Sequence, residues 1–274
     1  MTSDAPHAPA VIDTTRPSVA RVYDCFLGGK DNYEVDRQVF EQVDAVAPQM
    51  KLLARAGRNW LVRVTRFLAG SAGLDQFLDL GAGLPAAENT HQAAQRMNPD
   101  ARVVYVDNDP VVAAHGRALL EENDNTRLVN ADLTRPDEIF TDPEIIRHLD
   151  LSRPLALIHS STVHHISDGE NPAEMMRRYV ELLPSGSYLV LSHFADPQDG
   201  GEGSALARCV EDIFANGAMG SGYFRTREQI EGYFGGLQLV EPGLVPLNQW
   251  WPDGPLLSHT TADQVALGGV ARKP

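Results

Sequence analysis

Cysteine is scarce in this chain: Cys25 and Cys209 are the only two in 274 residues. They are too few and too far apart in sequence to suggest a disulfide framework or a cysteine zinc site. No apolar run reaches the roughly 20 residues of a membrane-spanning helix, so no membrane association is expected. The first 15 residues carry neither a basic n-region nor an apolar h-region, which argues against a secretory signal. A soluble cytoplasmic protein is the expectation. Positive charge is also short, with 23 Lys and Arg against 37 Asp and Glu and a formal charge of −14. Such a surface repels phosphate backbones, so no nucleic-acid partner is expected.

A further absence is more informative. Phe77-Leu-Asp-Leu-Gly-Ala-Gly83 is an apolar run containing Asp79 that ends in two glycines spaced by one. It reads as a parallel strand turning tightly into a helix over a nucleotide-like ligand. The glycines let the backbone approach the ligand, and Asp79 offers an acceptor. The third glycine of a dinucleotide fingerprint is missing, because Gly83 is followed by Leu-Pro-Ala-Ala. That turns the reading from NAD toward S-adenosyl-L-methionine (SAM), which has no pyrophosphate to place on a helix N-terminus.

Residues 1–15 read as a disordered tail. Val19, Val22, Tyr23, Phe26 and Leu27 recur at helical spacing until Gly28-Gly29 stops the helix. A second helix is expected over 33–46 and a longer one after Pro48, with Leu53, Ala56, Trp60, Val64 and Phe67 on one face. Residues 16–72 thus form a helical subdomain. From 73 onward, strands expected at 76–80, 102–106, 126–130, 155–160 and 186–193 alternate with helices at 86–97, 110–122, 135–148 and 171–183. This alternation implies an α/β fold: a doubly wound parallel sheet with helices on both faces. Later come a helix near 204–215, a capping box at Thr226–Gln229, and β-like runs at 237–247 and 264–271. The loop at 248–263 between those runs is compatible with a last strand inserted antiparallel.

In such a sheet the ligand sits at the carboxyl ends of the strands. The second strand ends in Asp107-Asn108-Asp109-Pro110, where an acid can accept hydrogen bonds from both ribose hydroxyls. The third ends in Ala131-Asp132-Leu133, where an acid and the next backbone amide can read an adenine edge. The fourth ends in His159-Ser160-Ser161, near where a methionine portion would lie. Each feature has a plainer explanation: Asp79 as a turn residue, the glycines as a tight turn, Asp109-Pro110 as an N-cap and first helical turn. Their combination favours an adenosine-containing ligand. His164-His165 invites a metal hypothesis, but adjacent residues do not share a face and no further ligands stand nearby, so no metal site is expected. Trp250-Trp251 is equally compatible with core and with a pocket rim.

The chain also resembles a bacterial SAM-dependent methyltransferase family formerly catalogued as a domain of unknown function. The resemblance runs from about Arg16 to Lys273. It rests on Pro17-Ser-Val-Ala-Arg-Val-Tyr-Asp-Cys-Phe-Leu-Gly-Gly-Lys-Asp-Asn-Tyr33, on Asp79-Leu-Gly-Ala-Gly-Leu-Pro85 with Asn89-Thr-His91, and on Tyr105-Val-Asp-Asn-Asp-Pro110. Ala131-Asp-Leu133, Val163-His-His-Ile166 and Gly268-Gly-Val-Ala-Arg-Lys273 complete it. His159-Ser160-Ser161 departs from it, standing where some relatives carry apolar residues. The resemblance implies a Rossmann-like seven-stranded sheet with its last strand antiparallel, an N-terminal helical lid, SAM as cofactor and a small-molecule acceptor of unknown identity.

On that reading Asp79 with the backbone of Gly81 and Gly83 holds the amino-acid part of the cofactor, Asp107 with Asn108 the ribose, and Asp132 with Leu133 the adenine. Ser160 lies near the methionine end. The turn through Gly28, Gly29 and Asn32 folds over as a lid, with Asn32 or Tyr23 reaching the methionine end. Tyr23, His164 and His193 are the candidate general bases, His193 because it ends the fifth strand near the acceptor and can titrate near neutrality. The N-terminal apolar helices could equally serve a homodimer contact. A non-catalytic SAM-binding regulatory module and an NAD-dependent oxidoreductase are the competing readings.

Overall fold

The computed structural model describes residues 12–254 and 260–274, with only the backbone of Arg117 and Leu119. Residues 1–11 of the expected tail, and 255–259 of the expected loop, lie outside the described residues. The tail's end is held: Ile12 packs beside Ala20, Leu84, Val111 and Val112, and Arg21 Nη1 donates to the carbonyl of Asp13.

Three helices open the chain: α1 (Val19–Leu27), α2 (Glu34–Val46) and α3 (Met50–Arg66). Ser18 caps α1, its hydroxyl accepting from the Arg21 N–H. Gly28 ends α1 at φ +79°, a left-handed conformation that costs glycine little. A buried ion pair, Arg21 Nε to Asp36 Oδ2 at 2.7 Å, ties α1 to α2. α3 runs on into a wide helical turn at Phe67–Ser71.

The sheet then builds from β1 (Gln76–Leu80), β2 (Arg102–Val106), β3 (Thr126–Val129), β4 (Ala156–Ser160) and β5 (Tyr188–Asp196). The expected segments are found within three residues at either end. Between them lie α4 (Thr90–Met97), α5 (Pro110–Leu119), α6 (Pro136–Thr141), α7 (Pro143–His148) and α8 (Pro172–Leu182). Two helix expectations need correction. The segment expected at 86–97 starts only at Thr90, where Asn89 and Gln92 form a capping box. The segment expected at 135–148 is two helices, because Asp142 caps a new one with Pro143 at its first position.

After β5 come α9 (Glu202–Ala215), β6 (Arg225–Thr226), α10 (Arg227–Gly232), β7 (Gln238–Leu239), β8 (Val245–Pro246) and β9 (Ala266–Arg272). The main strand order is β3-β2-β1-β4-β5-β9-β7, with β6 added to β5 and β8 to β9. β1 to β5 are parallel, whereas β9 runs antiparallel between β5 and β7. This is the seven-strand arrangement with an inserted antiparallel strand.

Successive strand residues face opposite sides of the sheet. Phe77, Val103, Val190 and Val270 join one core with Trp60, Val64 and Leu68, so the N-terminal helices form one covering layer. Leu78, Leu80, Val104 and Leu157 join the other core with Ile139, Ile145, Met176 and Tyr179. Trp250 is fully buried and accepts at its carbonyl from Arg63 Nε at 3.1 Å. Trp251 is 44% exposed and packs edge-on to Phe67. The tandem tryptophans are therefore an anchor for α3.

Candidate active site

The carboxyl ends of β1 to β5 open into one cavity of about 650 Å³, roofed by α1 and α3. Its position follows from the topology: the strand order reverses between β1 and β4, which splays the loops on either side. The volume lies in the ligand-pocket range of about 300–1,000 Å³.

At the β1–β2 side the backbone turns twice into the left-handed region, at Gly81 (φ +76°) and Gly83 (φ +65°). A Cβ on Gly81 would stand 2.4 Å from Thr162, whereas one on Gly83 would meet nothing within 4 Å. Gly81 thus permits close packing, and Gly83 leaves open room beside the ligand space. The Gly83 N–H donates to Asp107 Oδ2 at 2.9 Å, and the Asp109 N–H to Asp107 Oδ1 at 2.9 Å. Asp107 is thereby fixed with its remaining lone pairs available. Burial pushes its carboxyl pKa up, and these backbone donors act against that.

Asp79 is more deeply buried. Burial raises its pKa to about 6, against the pull of the Thr90 hydroxyl, which donates to Oδ2 at 2.6 Å, and of the nearby Arg58 guanidinium. Asp132 accepts from the Thr134 N–H and hydroxyl, both at 2.8 Å. Asn108, Leu133 and Ser160 line the same cavity.

The expected lid residues lie elsewhere. Tyr23 is on the cavity wall, but Gly28, Gly29 and Asn32 are not among its lining residues. Asn32 Nδ2 donates to Asp24 Oδ2 at 2.8 Å, and a Cβ on Gly29 would collide with Asp24. That turn is organised around Asp24. The roof over the β2 end is instead Ser18, Val19 and Ala20 at the start of α1.

The three base candidates all line the cavity. Tyr23 donates its hydroxyl to the Ala54 carbonyl at 3.0 Å, and burial raises its pKa. His193 Nδ1 meets the Phe194 carbonyl at 2.6 Å, and its Nε2 meets Arg225 Nη1 at 3.1 Å. A carbonyl only accepts and a guanidinium only donates, so His193 is neutral with its proton on Nδ1. Burial lowers its pKa to about 3. Both nitrogens are committed, so titration near neutrality, the reason for choosing it, does not hold. His164 Nδ1 accepts from the Phe194 N–H at 3.3 Å. Its neutral ring therefore carries the proton on Nε2. Burial holds its pKa well below the usual value.

Two further residues line the cavity that the sequence reading did not name as site residues. Arg58 lines the cavity; its Nη2 donates to the Glu88 carbonyl at 2.7 Å, while its Nε is buried with no hydrogen-bond partner. The signal was present in the spacing, since Ala54, Arg58 and Leu61 share one face of α3. The second is His165, whose Nδ1 lies 3.0 Å from Ser221 Oγ and whose pKa burial lowers to about 4. Nothing in the sequence pairs residues 165 and 221.

The family model described as S-adenosyl methyltransferase matches residues 5–274. The chain belongs to this S-adenosyl methyltransferase family. It is similar to the crystal structure of a candidate methyltransferase from Thermobifida fusca YX, with 42% identity, a TM-score of 0.88 and 99% of both chains covered. It is likewise similar to a DUF574 family protein from Streptomyces avermitilis MA-4680, at 38% identity and a TM-score of 0.88, covering 96% of this chain and 100% of that one. An O-methyltransferase family 2 protein from Planctomyces limnophilus DSM 3776, in complex with apigenin, shares the fold alone. It has 18% identity and a TM-score of 0.51, over 88% of this chain and 67% of that one. No curated protein matches. Membership makes the protein a SAM-dependent methyltransferase enzyme and sets aside the oxidoreductase and regulatory-module readings. The site suits the cofactor: strand-end carboxylates match hydroxyl and ammonium donors, and the unpartnered Arg58 Nε matches a carboxylate.

Proposed function

We propose that this methyltransferase acts on a small-molecule acceptor, and that one set of strand-end residues holds its cofactor. The observation that carries this is the convergence of Asp79, Asp107 and Asp132 on a single roofed cavity. The cofactor supplies a methyl group already activated on a sulfonium, so the protein's work is to bind, align and exclude water. Asp107, held by two backbone N–H groups, takes the ribose hydroxyls, with Asn108 beside it. Asp132 and Leu133 take the adenine edge. Asp79 takes the ammonium, with the backbone of Gly81 and Gly83 beside it and Ser160 opposite. Arg58 takes the carboxylate. His164 bounds the methionine end as an Nε2–H donor, and Tyr23 does so through a hydroxyl whose proton goes to the Ala54 carbonyl; neither is a base.

Residues 16–72 act as a lid and 73–274 as the cofactor platform in this reading. The acidic surface favours no nucleic-acid partner. No helix among the described residues is long and apolar enough to cross a membrane, and a cytoplasmic location belongs to the same reading. Exposed Val46 and Leu52 on α2 and α3 support a homodimer contact through the N-terminal helices.

The test is calorimetric titration with SAM, S-adenosylhomocysteine and NAD. Micromolar binding of the first two, lost in Asp107→Ala, is the expected result. Binding of NAD instead would overturn the site assignment.

A further inference from the structure

Beyond the carboxylates, the cavity has a second compartment of different chemistry. Phe26 on α1, Met50 on α3, Phe214 on α9 and Met219 form its apolar wall. Its polar groups are imidazoles and hydroxyls: His164, His165, Ser161, Ser192 and Ser221. The nearby guanidinium of Arg225 is committed to His193, to the Ile166 carbonyl at 2.8 Å and to Asp168 at 2.7 Å. No cation lines this compartment among the described residues to receive an anion. Its one carboxylate, Glu170, is exposed and accepts at Oε2 from the Ser167 N–H and hydroxyl.

We infer that the acceptor is an uncharged, mainly apolar small molecule bearing a hydroxyl, and that His165 receives the hydroxyl proton. This inference rests on the SAM-site reading above. An anionic acceptor would lose its hydration without gaining a counter-charge from the protein, and a cationic one would meet only a solvated carboxylate and face the cofactor's sulfonium. A hydroxyl is nearly neutral and a weak nucleophile, so it needs a base as it attacks. His193 and His164 cannot serve, since their acceptor nitrogens are bonded to Arg225 and to the Phe194 N–H. His165 can: its Nδ1 lies 3.0 Å from Ser221 Oγ, and in the tautomer that donates from Nδ1 to that hydroxyl the Nε2 lone pair accepts. The acceptor oxygen forms a bond to the methyl carbon as the carbon–sulfur bond breaks. The sulfur keeps that electron pair, the hydroxyl proton passes to His165 Nε2, and it leaves to water afterwards. The products are a methyl ether and S-adenosylhomocysteine.

Three naphthalene probes of equal shape test this: naphthol, naphthoate and naphthylmethylammonium, substituted at the same ring position. Calorimetry on the protein saturated with S-adenosylhomocysteine is expected to show naphthol binding at least about 10-fold tighter than either ion, as befits a desolvated pocket without a counter-charge. Labelled SAM should then give naphthyl methyl ether. Equal or tighter binding of an ion, or no naphthol binding, would overturn the acceptor class. Failure of S-adenosylhomocysteine itself to bind would instead remove the cofactor reading beneath it. His165→Gln should lower kcat about 10²-fold or more while naphthol affinity holds; retained turnover would remove His165 from the role. Ser221→Ala, a milder change, should lower kcat several-fold at unchanged KM, and an unchanged kcat counts against the pair.

Discussion

The two ends of the cavity hold their polar groups by different means. At the β1–β3 end the pins are mostly local. Asp107 is gripped by the N–H of Asp109, two residues on, and of Gly83 on the neighbouring strand's loop. Asp132 is gripped by Thr134, again two residues on. At the β4–β5 end the pins are distant in sequence: His193 to Arg225, His165 to Ser221, His164 to the Phe194 N–H. The first end is an acid-rich cradle preset by turns. The second is a set of neutral rings whose roles depend on which partner takes which nitrogen. Charge recognition can thus be written into short motifs, while proton chemistry is decided by tertiary structure.

The largest effect should come from the cradle. Asp107→Ala should weaken S-adenosylhomocysteine about 100-fold by calorimetry, since hydrogen bonds to a charged group contribute about 1.5–3 kcal/mol each. A change below about threefold would mean the ribose is held elsewhere. Arg58→Met should weaken S-adenosylhomocysteine by about 10-fold but leave methylthioadenosine, which lacks the amino-acid part, unaffected. Equal weakening of both ligands would make Arg58 a structural residue only.

Asp79 adds a pH dependence. Its folded pKa of about 6 lies above the ordinary 3.8. The free protein therefore takes up a proton there as pH falls through 6, and cofactor affinity should fall with it. Asp79→Asn should flatten that profile. Stability runs the opposite way: a raised carboxyl pKa means the folded state binds more protons, so this group's contribution to stability declines as pH rises from about 4 to 6.

At the histidine end the contrast sharpens. His193→Asn should leave kcat within about threefold while lowering the melting temperature, because it breaks a buried network that contributes roughly 1–3 kcal/mol. A loss of kcat near 10²-fold at normal stability would restore it as the base. The smallest effect is expected from Asn32→Ala: cofactor affinity within about twofold and a stability loss of about 1 kcal/mol, from its bond to Asp24.

The sequence disclosed the platform well and the roof poorly. β1 and β2 were legible to the residue because a short, nearly continuous apolar run ends at a glycine or an acid. The Asn89 box and the Asp142 cap were visible too, yet apolar periodicity hid them. Gly28-Gly29 reads as a helix stop and as the turn of a lid. Folded, Gly28 ends a helix and Gly29 clears space for Asp24, whose position no local pattern gives. Arg58 was hidden because an arginine on an amphipathic helix usually faces water. The commitment of His193 was hidden in a similar way, since Arg225, which meets its Nε2, comes from a two-residue strand that pairs beside it.

The glycine pair in β9 links the beginning of the chain to its end. A Cβ on Gly268 would stand 2.7 Å from the Trp60 ring and 2.6 Å from Leu247, so α3 packs closely on β9 because that strand is bare there. α3 and its seat in β9 lie far apart in sequence, so α3 finds that seat only once β9 has joined the sheet. Until then Trp60 has no completed surface to bury against. The cover over the strand ends therefore rests on a contact distant in sequence, whereas the sheet beneath it is built from strands joined by short helical connections.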